Sequence, residues 1–224
     1  MAKYTHQQAV ARAAAFYREN PHRFVADFLH ISLRWFQKIV IYAMNLNPAF
    51  CMIASRGLGK TFLIAIFCCV RCILYPGTKI CIASGTRGQA VNVLEKIRTD
   101  LLPRSAELKK ELVNGEIKIS NAEAIAWFKN GSYIKVVTAG DSARGNRANI
   151  LILDEFRLID QETIDTVLTK FLTDSRQPGY LSKPEYKHLA SQERNRQIYL
   201  SSAYFQEHWS YKKVQSFVKN MRNP

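Results

Sequence analysis

A short glycine-containing segment, IASRGLGKT at residues 53–61, has the residue types that bind phosphate groups. Gly57 and Gly59 let the backbone approach an anion closely, because glycine has no Cβ and adopts positive φ readily. Lys60 supplies a positive charge for the β- and γ-phosphates of a nucleotide, and Thr61 supplies a hydroxyl that can ligate Mg²⁺. Since Gly-Lys-Thr also occurs by chance, the prediction of a phosphate loop requires a strand before it and a helix after it.

The segment departs from the usual spacing G-x-x-x-x-G-K-[ST], which places a glycine at position 54. Ala54 occupies that position, and Arg56 lies inside the loop. A phosphate loop is still predicted, provided that Ala54 has backbone angles that suit a residue with a Cβ. The predicted nucleotide-binding set includes Ser55, Arg56 and Phe62 together with the loop glycines, Lys60 and Thr61.

Two carboxylates, Asp154 and Glu155, end the apolar segment NILILDE at residues 149–155. Carboxylates at the tip of a buried strand are costly unless they are paired or bound to metal. In phosphate-loop ATPases the Asp supports Mg²⁺, and an adjacent Glu can polarise the attacking water. Taken alone, the segment is also consistent with a strand that leads into an acidic turn. Together with the upstream loop, it predicts Asp154 as a metal ligand and Glu155 as the catalytic base.

Three further residues are candidates for contact with the nucleotide. Ser201 and Ser202 lie at the end of the apolar segment 197–203, where they could sense the γ-phosphate; small residues that merely end a strand are the alternative. Gln37 precedes the first predicted strand, and its amide can pair with the adenine edge as donor and acceptor. A solvated helix residue is the alternative for Gln37.

Two arginines, Arg144 and Arg147, precede the acidic segment in a glycine-containing loop. An arginine directed at the γ-phosphate of a neighbouring subunit would stabilise charge that develops in the transition state. Residue type alone favours the alternative, which is two surface arginines.

The elements that must position these residues follow from the hydrophobic pattern. Apolar strands are predicted at 49–55, 79–84, 149–155 and 197–203, antiparallel strands at 116–120, 124–128 and 132–138 with a turn at Asn130-Gly131, and helices at 5–18, 22–46, 61–75, near 87–102, 160–173 and 207–220. Apolar strands that alternate with helices predict an α/β fold with a mostly parallel sheet covered on both faces. In such sheets ligands bind beyond the carboxyl ends of the strands, where the candidate residues fall.

Composition is consistent with a globular, basic chain. The 224 residues carry 32 Lys and Arg against 18 Asp and Glu, a net charge of +14, which favours an anionic partner such as nucleic acid or nucleotide. The five cysteines all lie in apolar segments without a second Cys or His pair at zinc spacing, so buried reduced thiols are predicted. No segment has the features of a signal peptide or a membrane span.

Together these motifs resemble the ATPase domain of the terminase large subunits of tailed bacteriophages. The loop Ser55–Thr61 is the most specific part, because that family often lacks the first glycine and has Ser-Arg before it. Also similar are the region around Gln37, which looks like the family's adenine-binding motif, residues 82–97, the hairpin at 128–136, the acidic pair, and the coupling motif Ser201-Ser202-Ala203.

The resemblance implies a three-layer P-loop NTPase that is RecA-like and of the additional-strand, catalytic-Glu type. It implies ATP and Mg²⁺ as ligands, an N-terminal helical segment with the adenine-binding motif at 1–46, and an ATPase core at 47–224. It also implies that Arg56 senses the γ-phosphate and that Arg144, or Arg147 close by, acts on a neighbouring subunit. The implied partners are double-stranded DNA, a homo-oligomeric ring on a portal and a small terminase subunit, with no membrane, in the cytoplasm of the infected host.

Large terminases usually continue into a nuclease domain with clustered acids, and we expect no such domain and no DNA cleavage from these 224 residues. The leading hypothesis is therefore an ATP hydrolase that translocates double-stranded DNA into a procapsid. One alternative is the first ATPase lobe of a two-lobe helicase or translocase. The other is a nucleic-acid-binding module with an inactive nucleotide site.

Overall fold

One sheet organises the part of the chain that the computed structural model describes, namely residues 5–138, 146–173, 175–184, 187 and 194–222. Within these residues the sheet has seven strands in the order β1-β7-β6-β2-β5-β4-β3. Their bounds are β1 Ala49–Ile53, β2 Lys79–Ser84, β3 Lys118–Ile119, β4 Ala124–Trp127, β5 Tyr133–Thr138, β6 Ile150–Asp154 and β7 Arg196–Ser201. Strands β1, β7, β6, β2 and β5 pair in parallel. Strand β4 then pairs antiparallel with β5, and β3 pairs antiparallel with β4 at the edge of the sheet.

Helices cover both faces of the sheet. Their bounds are α1 His6–Glu19, α2 Pro21–Phe28, α3 Trp35–Leu46, α4 Lys60–Leu74, α5 Arg87–Lys96, α6 Ala106–Glu111, α7 Gln161–Thr163 and α8 Trp209–Arg222. Alternate residues of β6 point to opposite faces: Ile150 and Ile152 pack in the core that contains α4 and α5, and Leu151 and Leu153 pack in the core beside α8. The predicted three-layer α/β fold with a mostly parallel sheet is therefore confirmed.

Helix α4 shows how the local sequence positions the loop. Its sequence KTFLIAIFCCVRCIL is apolar almost all round, and most of its side chains are fully buried against the sheet and the helices before β1. Gly59 is its N-cap with φ 78°, and Pro76-Gly77 follows its end. The Asn130 side chain donates to the Cys72 carbonyl at 2.7 Å, so the predicted turn of the β4–β5 hairpin also caps the far end of this helix.

Three helix predictions were wrong in detail. The predicted helix near 87–102 is α5 followed by a π turn at Ile97–Leu101. The predicted helix 22–46 is two helices, α2 and α3, because His30 has φ 56° and the N–H of Ile31 turns back to the Val25 carbonyl at 3.2 Å. The predicted helix 160–173 begins as α7 but continues as a π turn at Ile164–Leu168 and a 3-10 turn at Thr169–Phe171. Helix α6 was not predicted.

The register of the parallel strands sets the ends of four of them at one edge of the sheet. Ile53 pairs with Ser201, and Asp154 pairs with Ser84 on one side and with Leu200 on the other. The phosphate loop, the acidic pair and the serines after β7 therefore meet at the carboxyl edge. None of the helices in the described residues is long and apolar enough to cross a membrane.

The cysteines are free, as the composition predicted. Cys68, Cys69, Cys72 and Cys81 are buried, and Cys51 is half-buried.

Candidate active site

The phosphate loop joins β1 to α4 and has the backbone that phosphate binding requires. Gly57 and Gly59 have φ of 87° and 78°, in the left-handed region that residues with a Cβ rarely adopt. Ala54 is outside that region, so its methyl group causes no backbone strain. Its N–H donates to the Ser201 carbonyl at 3.0 Å, which extends the β1–β7 pairing into the loop. The condition placed on Ala54 is met.

Lys60 turns back over its own loop. Its Nζ donates to the carbonyl oxygens of Ala54 at 2.8 Å and Ser55 at 3.3 Å, and the residue is only 8% exposed. The same Nζ lies 3.6 Å from Oε1 of Glu155. A buried ammonium held by two neutral carbonyls and one carboxylate is ready to exchange these partners for a stronger anion.

Asp154 is the last residue of β6 and is buried. Burial raises the pKa of its carboxyl to about 6, and the nearby charge of Glu155 adds to the rise, whereas the Glu155 N–H, which donates to Asp154 Oδ1 at 3.1 Å, opposes it. A carboxylate that is costly to ionise gains from a bound cation, so the electrostatics of this position suit a metal ligand.

Glu155 has an unusual backbone, with φ 46° and ψ 49°. Its carboxylate accepts hydrogen bonds from the Ser202 N–H at 3.2 Å, the Ser202 hydroxyl at 2.9 Å and the Ser201 hydroxyl at 3.3 Å. Burial acts to raise the pKa of Glu155, but the Ser202 hydrogen bonds, with the charges of Lys60 and Arg157, lower it overall. The carboxylate is thus ionised and firmly held.

A divalent cation at this site would need ligands from a bound nucleotide as well as from the protein. Among the described residues, no group of three or more His, Cys, Asp and Glu side chains could hold a cation unaided. Mg²⁺ usually takes one or two protein ligands and completes its shell with water and substrate phosphates. Asp154 at the strand end and Thr61, the second residue of α4, supply a carboxylate and a hydroxyl of the required kind.

Gln37 lies beside the phosphate loop. A Cβ placed on Gly59 would be 3.9 Å from Nε2 of Gln37. Its Oε1 accepts from the Arg34 N–H at 2.9 Å and so helps to cap the start of α3. The structure therefore brings Gln37 close to the loop with its NH₂ group next to it, while its oxygen is used by its own helix.

The three candidate arginines have different positions. Arg56 is exposed within the loop. Arg144 lies outside the described residues. The Arg147 carbonyl accepts from the Tyr133 hydroxyl at 2.7 Å, near the amino ends of β5 and β6, so Arg147 lies towards the edge of the sheet opposite to the acidic pair.

The remaining predicted residues are also located. Ser201 is buried at the end of β7, and Ser202 is half-buried just beyond it. Phe62, the third residue of α4, packs partly buried against the core, and no described contact links its side chain to the loop. Ser84, the strand partner of Asp154, donates to Oε1 of Gln89 at 3.1 Å, which fixes the segment 82–97 beside the acidic strand.

Sequence reasoning missed two residues of this site. The Nε of Arg157 donates to Oε2 of Glu155 at 3.3 Å, and the Arg157 guanidinium carbon lies 4.7 Å from the centre of the Tyr204 ring. Each follows a predicted site residue by two positions, but neither has a motif of its own. The 3-10 turn after β6 brings Arg157 next to both Glu155 and Tyr204.

Fold and site together define a phosphate-loop NTPase in which an additional strand, β7, lies between the loop strand and the acidic strand. The family described as "Terminase large subunit, T4likevirus-type, N-terminal" matches residues 51–223, which is most of the chain. The chain belongs to this family of N-terminal domains of terminase large subunits, and the predicted resemblance is confirmed.

Solved structures agree with this assignment at the level of the fold. The large terminase of bacteriophage HK97 has a TM-score of 0.63 and 17% identity, over 91% of this chain and 42% of that chain. The large terminase ATPase domain of Thermus phage P74-26 has a TM-score of 0.54 and 13% identity, over 90% of this chain and 93% of that chain. This chain thus spans less than half of the HK97 protein. None of the curated proteins compared with this chain matches it significantly.

Proposed function

We propose that this chain is the ATPase motor domain of a phage terminase large subunit, which hydrolyses ATP to translocate double-stranded DNA into a procapsid. The observation that carries the proposal is the position of the Glu155 carboxylate, between Lys60 of the phosphate loop and Ser202 beyond β7. Family membership supports the biological role, because it places the chain at the N-terminal side of a large terminase.

Nucleotide binding would begin with an exchange of partners at Lys60. Its ammonium would leave the carbonyls of Ala54 and Ser55 for the β- and γ-phosphates, while the N–H groups around Gly57 and Gly59 and the start of α4 face the same anion. The NH₂ group of Gln37 is positioned to donate to an acceptor on the adenine edge. Ser55, Arg56 and Phe62 complete the proposed contact set.

Asp154 and Thr61 would hold Mg²⁺, which when bound neutralises negative charge on the β- and γ-phosphates. With a pKa of about 6, Asp154 is mostly ionised at neutral pH and can serve as a ligand. The carboxylate of Glu155 would accept a proton from the attacking water. The water oxygen then bonds to the γ-phosphorus as the bond to the bridging oxygen breaks, and ADP keeps that electron pair.

An arginine from a neighbouring subunit would complete the site, so the proposal includes an assembly of several copies. Arg147 lies away from the acidic pair of its own chain, so it could act only on another copy; Arg144 and Arg56 remain the other candidates. A homo-oligomeric ring on a portal, with a small terminase subunit and double-stranded DNA, in the host cytoplasm, is the proposed setting. The net charge of +14 suits contacts with DNA phosphates that are insensitive to sequence and steep in salt.

ATP turnover against protein concentration, with and without double-stranded DNA, tests the proposal. We expect Mg²⁺-dependent turnover whose rate per subunit rises with concentration, as catalysis between subunits requires. Glu155→Gln should keep nucleotide binding and lose hydrolysis, whereas the exposed matched control Glu162→Gln should not change either. Unchanged turnover in Glu155→Gln would refute the catalytic assignment. Strand unwinding would favour the helicase alternative, and absence of Mg²⁺–ATP binding would favour the inactive module; no described contact favours either.

A further inference from the structure

Arg157 and Lys60 of the phosphate loop contact different carboxylate oxygens of the proposed catalytic base. It lies in the 3-10 turn Phe156–Leu158, directly after Glu155, and its Nε lies 3.3 Å from Oε2 of that residue. The two side chains are 16% and 19% exposed, so solvent shields their interaction only partly. The interaction of this pair is therefore screened by solvent less than that of a fully exposed surface ion pair.

The two oxygens of Glu155 have different sets of donors. Oε2 accepts from the Ser202 N–H, the Ser201 hydroxyl and Nε of Arg157. Oε1 accepts from the Ser202 hydroxyl and lies 3.6 Å from Nζ of Lys60. The Ser202 hydroxyl is only half-buried and can rotate, and Lys60 would have phosphates to bind, so the donors at Oε1 are the ones that can leave. The donors at Oε2 are a backbone N–H, the hydroxyl of the fully buried Ser201 and a planar guanidinium.

The backbone of Glu155 makes such an anchor necessary. A residue with a Cβ is strained at φ 46° and persists there only where the surrounding contacts hold it. The hydrogen bonds at Oε2 connect the side chain to β7 and to the turn after β6, and they fix the direction in which the carboxylate points. Loss of one of them would leave Glu155 in place but free to rotate.

Tyr204 in turn holds Arg157. The guanidinium carbon of Arg157 lies 4.7 Å from the Tyr204 ring centre, within the range of a cation–π contact. Tyr204 itself is 47% exposed and packs edge-on against His208. Arg157 is thus fixed between the carboxylate and an aromatic face, with Tyr204 just beyond the Ser201-Ser202 pair.

We propose that Arg157, stacked on Tyr204, is a positioning residue that holds Oε2 of Glu155 so that Oε1 is directed at the attacking water. This inference rests on the proposed ATPase function. When Lys60 moves to the phosphates, Oε1 loses a neighbour while Oε2 keeps its three donors. The carboxylate then presents one oxygen for the water proton and does not rotate.

Steady-state ATP turnover and binding of a fluorescent ATP analogue, measured on the whole chain, test the inference. Arg157→Gln should lower kcat by about tenfold or more while KM and analogue affinity stay within about twofold, because a misdirected base slows chemistry but leaves the phosphate loop intact. Arg157→Lys should recover part of the rate. Tyr204→Ala should lower kcat by a smaller factor, and Tyr204→Phe, which keeps the ring, should match the wild type. Arg98→Gln, at an exposed surface pair with Glu95, is the control.

The double variant Arg157→Gln with Tyr204→Ala should be no slower than Arg157→Gln alone, since the ring acts through the guanidinium. An unchanged or increased kcat in Arg157→Gln would overturn the inference. The inference would also be overturned if Arg157→Gln lowered kcat, analogue affinity and melting temperature together, because that result would indicate a structural role. Tyr204 is exposed, so its variants decide the matter if Arg157→Gln does not fold. A wild type without turnover would instead refute the proposed function itself.

Discussion

The ammonium of Lys60 lies 3.6 Å from Oε1 of Glu155 while it donates to the carbonyl of Ala54 at 2.8 Å. The cation of the phosphate loop and the proposed base thus partly neutralise each other. In the proposed function, an incoming triphosphate would displace this arrangement, and the same displacement would free Oε1. Binding and activation of the proposed base would then be linked by one side chain.

Replacement of Lys60 should act on nucleotide binding first. We expect Lys60→Ala to weaken binding of a Mg²⁺–ATP analogue by about tenfold or more, which is about 1.4 kcal/mol, because a buried charge–phosphate contact is lost. Fluorescence titration measures this. The exposed Lys110→Ala removes one positive charge elsewhere and should leave the affinity unchanged. Equal weakening in both variants would indicate a general charge effect instead.

Gly59 and Gly88 both have room for a methyl group, but only Gly59 has a positive φ, so substitutions at the two positions test the backbone conformation of the loop. Gly59→Ala should lower the free energy of unfolding by about 1 kcal/mol and weaken nucleotide binding, because φ there is 78°. Gly88→Ala lies in α5 at ordinary φ, with open space around the new methyl group, and should be neutral or stabilise by up to about 1 kcal/mol. Chemical denaturation measures both. Similar effects at the two positions would contradict the assigned loop conformation.

Asp154 should make the nucleotide-free domain less stable as pH rises. Its pKa is raised from 3.8 to about 6, so the folded chain binds this proton more tightly than the unfolded chain. Between about pH 4 and pH 6 the folded state gives up that advantage, at a cost of at most about 3 kcal/mol. We expect Asp154→Asn to be more stable than the wild type at pH 7, with a difference that shrinks towards pH 4. A difference independent of pH between 4 and 7 would contradict the assigned pKa.

The cysteines should react in a defined order. Burial raises the pKa of the Cys51 thiol to about 11 and that of Cys81 to about 12, and only Cys51 is half-buried. A thiol reagent at pH 7.5 should therefore modify Cys51 slowly and first, and Cys51→Ser should remove this early phase. Mass spectrometry identifies the modified position. Rapid reaction at Cys69, which is fully buried in α4, would show that the helix opens in the native state.

The core of the site could be predicted because it depends on rules that act along the sequence. Apolar strands of a parallel sheet end at one edge, so Asp154 and Ser201 at two strand ends, and Lys60 in the loop after a third, are expected to come close. The family match then confirmed the class of protein that the altered loop had indicated. The roles of individual site residues and the division of the chain at residue 46 stay predictions.

Features that depend on single backbone angles could not be predicted. The break after α2 is closed by His30 at φ 56°, a position that glycine usually marks, and the apolar pattern continues through it at Leu29, Ile31 and Leu33. The contact of Arg157 with Glu155 likewise requires the left-handed turn at Glu155. Nothing in the sequence marks His30 or Glu155 as a residue with positive φ, because the surrounding fold imposes these backbone angles.

Strand β7 pairs with β1 along Ala49–Ile53 and with β6 along Ile150–Asp154. A slip of one residue would turn its side chains to the opposite face and break both ladders at once. Strand β7 is therefore expected to keep its register, and the centre of the sheet to stay rigid. Amide exchange should be slow in β7 and at Ser202, whose N–H is bonded to Glu155, and faster at the exposed residues 203–207 that lead to α8.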